Sequence, residues 1–243
     1  MGMLYVIGTP IGNLEDVTLR ALRILKEVDV ILCEDTRVTR RLLEKYDIGG
    51  KQLIAYNEQK SGMKIEKIIE LLNEGKNLAL VSDAGTPGIS DPGSYLVQQV
   101  REAMPDMKIE SVPGPSALTA ALSIAGVPVH DFVFLGFLPH KKGRETLFKE
   151  IAVSERAVVF YESPHRILKT LQSLQTHLEN RRGSTSPSGD EGEISQKQKT
   201  VVICRELTKI HEQVISGTAT ELLVYFETNP DKVRGEFVVI VTL

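Results

Sequence analysis

Short apolar runs and helical stripes alternate through the first half of this chain. Leu4–Gly8, Val28–Cys33, Leu53–Tyr56, Asn77–Val81 and Ile109–Val112 are brief apolar stretches of strand length. Between them the apolar residues recur every three or four positions, which predicts helices. Thr18–Lys26 carries Leu19, Leu22 and Leu25 on one face, and a second helix runs through Leu42, Leu43 and Tyr46. Ile65–Asn73 places Ile65, Ile68, Ile69 and Leu72 on an inner stripe, and a fourth helix spans Pro92 to Met104. Strands separated by helices need crossover connections, so this half predicts a mainly parallel sheet with helices on both faces.

The rhythm changes after Val112-Pro-Gly-Pro115, where a helix starts at Ser116. Phe132–Gly136, Val158–Tyr161, Val201–Cys204, Gln213–Ser216 and Phe237–Val241 read as strands with fewer helices between them. Thr218 followed by Glu221 has the spacing of a capping box, in which hydroxyl and carboxylate satisfy each other's backbone amides. The expectation is an α/β protein of two domains, 1–113 and 114–243, the second built on a mixed sheet with some antiparallel pairing and a cleft between the two. Asn180–Lys199 is rich in Gly, Ser and charge, with Ile194 as its single apolar residue, and is expected to be a flexible insertion.

Composition narrows the class. The 243 residues are 42% hydrophobic and 25% charged, with a formal net charge of −3, so no global positive field draws in nucleic acid. No apolar run approaches the ~20 residues of a membrane helix. The start, MGMLYVIGTP, lacks a basic region and a long apolar core. A cytoplasmic protein without a signal peptide is the expectation. Cys33 and Cys204 lie in or beside apolar strands without metal spacing, which suits buried free thiols.

The chemistry-bearing residues gather where strands end. Residues 82–94, SDAGTPGISDPGS, follow an apolar strand directly. Glycines allow close backbone approach to a ligand, prolines stiffen the loop, and Asp91 and Pro92 suit the N-cap and first position of the next helix. Gly8-Thr-Pro-Ile-Gly-Asn13 follows the first strand but has neither the Walker lysine nor the GxGxxG spacing of a phosphate loop. Glu34-Asp35-Thr36-Arg37 follows the second strand, and its carboxylates and guanidinium suit a general base and an anion anchor, or equally a capped helix with solvated charges. Ser111–Ala117 ends the fifth strand and opens a helix whose amides face a polar ligand group. Glu162-Ser-Pro-His-Arg166 opens another helix at Pro164, with His165 as a candidate base.

Basic residues cluster after these corners: Arg37, Arg40 and Arg41; His140, Lys141, Lys142 and Arg144; His165, Arg166 and Lys169. Such a basic rim on an acidic chain suits a local phosphate-backbone contact. HExxH, CxxC and GxSxG motifs are absent, so neither a metal centre nor a covalent nucleophile is expected.

Taken in order, LYVIGTPIGNLEDVTLRAL, CEDTR, ALVSDAGTPGISDPG, VPGPSALTAAL, FLGFLP, YESPHRI, CRELTKIHE and RGEFVVIV resemble the bacterial small-subunit (16S) ribosomal RNA cytidine 2′-O-methyltransferases, within the tetrapyrrole-methylase-like superfamily. The resemblance covers nearly the whole chain outside Asn180–Lys199. It implies a two-domain α/β fold, a homodimer, S-adenosylmethionine as methyl donor and the small ribosomal subunit RNA as substrate.

Carried over by motif, the donor contacts are Pro10, Gly85, Thr86, Pro87, Ile89, Ser116, Ala117 and Tyr161. Glu34 or Asp35, then His165, are the candidate bases; Arg37 and Arg166 fall on the substrate side. Relatives often continue beyond the last strand into a small helical segment, whereas this sequence stops at Leu243. If that segment helps to hold the ribosomal particle, its absence bears on substrate affinity and not on donor binding. Two rivals stand beside this reading: a methyltransferase acting on a corrin-type or porphyrinoid ring, and a non-catalytic module that binds the donor or a nucleotide.

Overall fold

A computed structural model describes residues 2–56, 61–179 and 198–243, so most of the 180–199 expectation lies outside the described residues. Lys199 at its end is described: it is buried and its ammonium donates to the Ser154 carbonyl. The chain divides into two compact units, Met1–Ala117 and Leu118–Leu243.

The first unit is a five-stranded sheet in the order β3-β2-β4-β1-β5, parallel throughout. Its strands are β1 (Leu4–Ile7), β2 (Val30–Cys33), β3 (Gln52–Ala55), β4 (Leu78–Val81) and β5 (Ile109–Val112). The connecting helices are α1 (Leu19–Glu27), α2 (Thr36–Lys45), α3 (Ser61–Asn73) and α4 (Gly93–Ala103). Central β2 and β4 are buried at every position, as expected of strands covered on both faces. Alternation along the strands divides the core in two. Ile7, Ile31, Ala79 and Val81 pack against Ala21, Ile24 and Leu25 of α1 and Leu42 and Leu43 of α2. Leu4, Leu32, Leu78 and Leu80 pack against Ile65, Ile68 and Leu72 of α3, Leu96 and Val100 of α4 and Met104 just after it.

Several boundaries differ from expectation. Thr18 caps α1 by accepting from the Ala21 amide, and the phase this sets buries Ala21, Ile24 and Leu25 while leaving Leu19 87% exposed. Val28 ends α1 instead of starting β2. Pro92, not Asp91, stands at the N-cap of α4; the Asp91 carboxylate accepts from the amides of Gly88 (2.8 and 2.9 Å) and Gly93 (2.7 Å) and so ties the preceding loop to the helix start.

The second unit carries α5 (Ala117–Ile124), β6 (Phe132–Phe137), α6 (Arg144–Val153), β7 (Ala157–Glu162), α7 (Ile167–Glu179), β8 (Thr200–Arg205), β9 (Gln213–Gly217), α8 (Ala219–Thr228) and β10 (Phe237–Thr242). Its sheet runs β6-β7-β10-β8-β9; β6 and β7 are parallel and the other neighbours antiparallel. Val158, Phe160, Ile203, Val239 and Val241 face α6, α7 and α8. Thr218 and Glu221 form the capping box of α8. The helix expected from Pro164 begins at Ile167, residues 164–166 forming a turn.

Candidate active site

In the first unit β1 and β4 are neighbours, but α1 leaves β1 for one face and α4 leaves β4 for the other. The carboxyl ends of these two strands therefore diverge at the topological switch point, where an open α/β sheet presents a crevice for ligands.

The loops bounding that point are locked together by backbone. The Thr9 amide donates to the Gly85 carbonyl (2.9 Å) and the Gly85 amide returns a bond to Thr9 (3.1 Å). The Thr9 hydroxyl donates to the Ser82 carbonyl (3.0 Å), and the Ser82 hydroxyl to that of Gly85 (3.0 Å). Gly85 has φ +85°, a left-handed conformation that a side chain would strain. The loop after β5 joins through Thr86, whose hydroxyl donates to the Pro115 carbonyl (3.2 Å). It joins again through Gly114: a Cβ there would lie 2.7 Å from the Gly8 oxygen.

Pro10, Gly85, Thr86, Pro87, Ser116 and Ala117, expected from the resemblance to hold a donor, all lie on this rim. Pro10, Gly85 and Pro87 are buried, Thr86, Ser116 and Ala117 half-buried, and Ile89 is exposed at the outer margin of its loop.

Next to the rim, at the end of β2, stands a carboxylate pair. Glu34 Oε1 accepts from the Asp83 amide (3.1 Å), while Asp83 Oδ1 accepts from the Asp35 amide (2.9 Å). Burial pushes the pKa of both Glu34 and Asp83 above the ordinary carboxylate range; each is also raised by a neighbouring acid, Asp83 beside Glu34 and Asp35 beside Asp83. Asp35 is opposite in character. Arg37 grips it through Nε (3.0 and 3.1 Å) and the Arg37 amide bonds it at 2.8 Å, which holds its carboxyl down at about 2. Asp35 is the N-cap of α2 and a permanent anion, unsuited to taking a proton near neutrality. Asp83 was not singled out from the sequence; its signal was an acid directly after a buried strand, opposite a second acid at the end of the adjacent strand.

The second unit holds a different cluster at the carboxyl ends of β6 and β7. Buried Glu162 receives Arg166 Nε at 2.7 Å, Arg144 Nη2 at 3.3 Å, the Thr170 hydroxyl at 2.6 Å and the Ser163 amide at 2.8 Å. Arg144 also donates to the Pro139 carbonyl (3.2 Å) and Arg166 to that of Leu138 (2.8 Å).

Arg144, expected on the basic rim, is thus a buried structural cation. Arg166, expected on the substrate side, donates to Glu162 and to the Leu138 carbonyl from the turn that carries exposed His165. Tyr161 packs edge-on against Phe134, with ring centroids 5.0 Å apart. A separate cavity of about 610 Å³, lined by Ser154, Gln175, Glu179, Lys199 and Thr220, lies away from these corners. Among the described residues no group of three or more His, Cys, Asp or Glu is arranged to hold a metal ion.

Comparison with known proteins places this geometry in context. The family model for Tetrapyrrole (Corrin/Porphyrin) Methylases matches residues 3–223. The chain is 44% identical over 243 residues to the ribosomal RNA small subunit methyltransferase I of Thermotoga maritima, spanning 100% of this chain and 99% of that protein. Against the protein of the same name from Escherichia coli O157:H7 the identity is 42% over 241 residues, covering 99% and 77%. Among solved structures, the methyltransferase CobJ superposes with a TM-score of 0.65 at 22% identity, covering 100% of this chain and 94% of that one. Uroporphyrin-III C-methyltransferase from Thermus thermophilus, complexed with S-adenyl homocysteine, superposes with a TM-score of 0.61 at 17% identity, covering 99% and 97%. At those identities the structural likeness shows the shared fold.

Proposed function

This chain belongs to the tetrapyrrole (corrin/porphyrin) methylase family and, within it, to the group of ribosomal RNA small subunit methyltransferase I proteins, and from that premise we propose that it transfers a methyl group from S-adenosylmethionine to the ribose 2′-hydroxyl of a cytidine in small-subunit ribosomal RNA. One observation carries the mechanism: a glycine- and proline-rich rim and a carboxylate pair of raised pKa share one edge of one sheet.

The rim suits a donor of this kind. Gly8 and Gly114 let the loops after β1 and β5 pack backbone on backbone, and Gly85 takes a left-handed turn, so the rim is held in one shape for a ligand to meet. Pro10, Thr86, Pro87, Ser116 and Ala117 would hold the donor there, with Ile89 as an apolar contact. When bound, S-adenosylmethionine supplies a methyl group already activated by its sulfonium. The work left to the chain is alignment for in-line attack and removal of the hydroxyl proton.

Glu34 takes that proton: one oxygen is held by the Asp83 amide, and its raised pKa brings the carboxylate closer to the working pH. Arg37, exposed and aimed by Asp35, meets a phosphate of the RNA backbone. His165, exposed on the second unit, is the alternative base. The reading carries with it a homodimer acting in the cytoplasm, supported by the resemblance.

The test is transfer of labelled methyl from S-adenosylmethionine to small ribosomal subunits from cells lacking this protein, with naked RNA and a porphyrinoid in parallel lanes. Label on a single ribose 2′-oxygen of a cytidine is expected. Label on the porphyrinoid alone, or donor binding with no transfer, overturns the reading.

A further inference from the structure

The second unit carries an exposed ring, Phe137, that the reaction above leaves unused. Pairing with β7 runs in regular register from Phe132 to Phe134 and then shifts: Phe134 lies opposite Val159, but Phe137 lies opposite Tyr161. Three steps along β6 match two along β7, the signature of a bulge, and Gly136 within it has φ +61°. In an unbroken strand Phe134 and Phe137 would point to opposite faces. The extra residue brings both onto Tyr161, at centroid distances of 5.0 and 5.4 Å.

Phe137 ends the strand 57% exposed, an unusual place for a phenylalanine backed by a second ring. Exposed His140, Lys141 and Lys142 follow it directly. The turn bearing exposed His165 is fastened to the same loop, because Arg166 and Arg144 hold Glu162 with one part of each guanidinium and the Leu138 and Pro139 carbonyls with another. An exposed ring, two flexible ammonium groups and two imidazoles are thus presented together on a rigid buried support.

We propose that Phe137, backed by Tyr161, is a stacking platform for an unpaired RNA base, and that Lys141 and Lys142 hold the phosphates beside it. The pairing of a bare aromatic face with adjacent cations is what single-stranded nucleic acid requires, because every base has a π-face and every nucleotide a charge. Charge complementarity favours RNA as the occupant: Lys141 and Lys142 beside an exposed ring match the phosphate beside each base. The inference rests on the RNA substrate proposed above and names where on the second unit that RNA is held.

The experiment measures binding of a short single-stranded RNA carrying 2-aminopurine, and of small ribosomal subunits, to the full chain and to F137L, F137W and K141Q/K142Q. Donor binding by calorimetry and sedimentation are followed in parallel. Expected are quenching of 2-aminopurine by the parent protein, about tenfold weaker binding by F137L and recovery by F137W. K141Q/K142Q should flatten the salt dependence by about 0.7 per lost phosphate contact.

Unchanged RNA binding by F137L, or no RNA binding by the parent protein, overturns the platform. A shift in sedimentation of F137L with RNA binding intact also overturns it, marking this face as an interface between copies. RNA binding that depends on Phe137 without methyl transfer to RNA would uphold the platform and refute the proposed reaction. Methyl transfer with F137L indistinguishable from the parent would do the reverse.

Discussion

Glu34 and Asp83 hold each other's loops in place: the Asp83 amide donates to Glu34 Oε1 at 3.1 Å, and the Asp83 carboxylate accepts from the amide next to Glu34 at 2.9 Å. Two acids are thereby kept half-buried, and burial disfavours charge on each.

E34Q keeps an oxygen for the Asp83 amide but cannot take a proton. Transfer by E34Q should fall about 10²–10⁴-fold with donor affinity preserved, read by single-turnover methyl transfer. The same change should raise thermal stability at neutral pH. Burial raises the folded-state pKa of both acids, so between the ordinary carboxylate range and the raised values the folded protein binds more protons than the unfolded chain. Stability from this source is fully present at low pH and is lost as pH rises through that window. Melting curves of parent and E34Q should converge in acid and separate toward neutrality.

Asp35 should behave oppositely. Its pKa is lowered by Arg37 to about 2, so its contribution is present above the unfolded value and lost as pH falls through the folded one. D35N, which still caps α2 but gives up the charge that Arg37 holds, should lower the neutral-pH melting temperature slightly, with the difference closing in acid, and weaken RNA binding by releasing Arg37. A large loss of donor binding in D35N would contradict its place on the substrate side.

Gly114→Ala should cost about 1–3 kcal/mol in denaturant unfolding, because its Cβ would meet Gly8 backbone that cannot give way. Donor affinity should fall with it, since the two loops that touch are the ones proposed to hold the donor. Gly49→Ala, with open space around its Cβ, is the control and should be silent.

Glu162→Gln should cost about 3–5 kcal/mol, leaving two guanidinium groups without a counter-charge in a buried site. Hydrogen exchange should report the loosening first in the loop 138–143, whose Leu138 and Pro139 carbonyls those guanidinium groups hold.

Both cysteines are free and buried, and burial raises their thiols, that of Cys204 to about 11. A thiol reagent at mildly alkaline pH should label neither in the folded protein and both after unfolding. Rapid labelling of Cys33 in the folded protein would show that its strand opens locally.

Much of this was legible along the chain because backbone rules act locally. The alternation of strands and helices, the Thr218–Glu221 box and the crowding of Gly, Pro and acids at strand ends all follow from neighbours in sequence. What escaped depends on partners far apart. Arg144 looks like one more cation of a basic loop until Glu162 and Thr170 close around it. Asp83 reads as a loop acid until the end of β2 comes to lie beside β4. Leu19 has the spacing of a core residue, but the cap at Thr18 sets the helix phase and turns it outward.

The strand that occupies the middle of the second sheet, β10, is also the last to be made. Phe237–Thr242 separates β7 from β8 and bonds to both, so neither can complete its ladder before those residues appear. The first unit has all its strands by Val112 and can close while translation continues; the second must wait, its β6–β7 and β8–β9 pairs lacking the strand that joins them. Loss of only a few residues around Val239 would therefore abolish half of the protein, not trim it, and leave an intact first unit tethered to a sheet that cannot form.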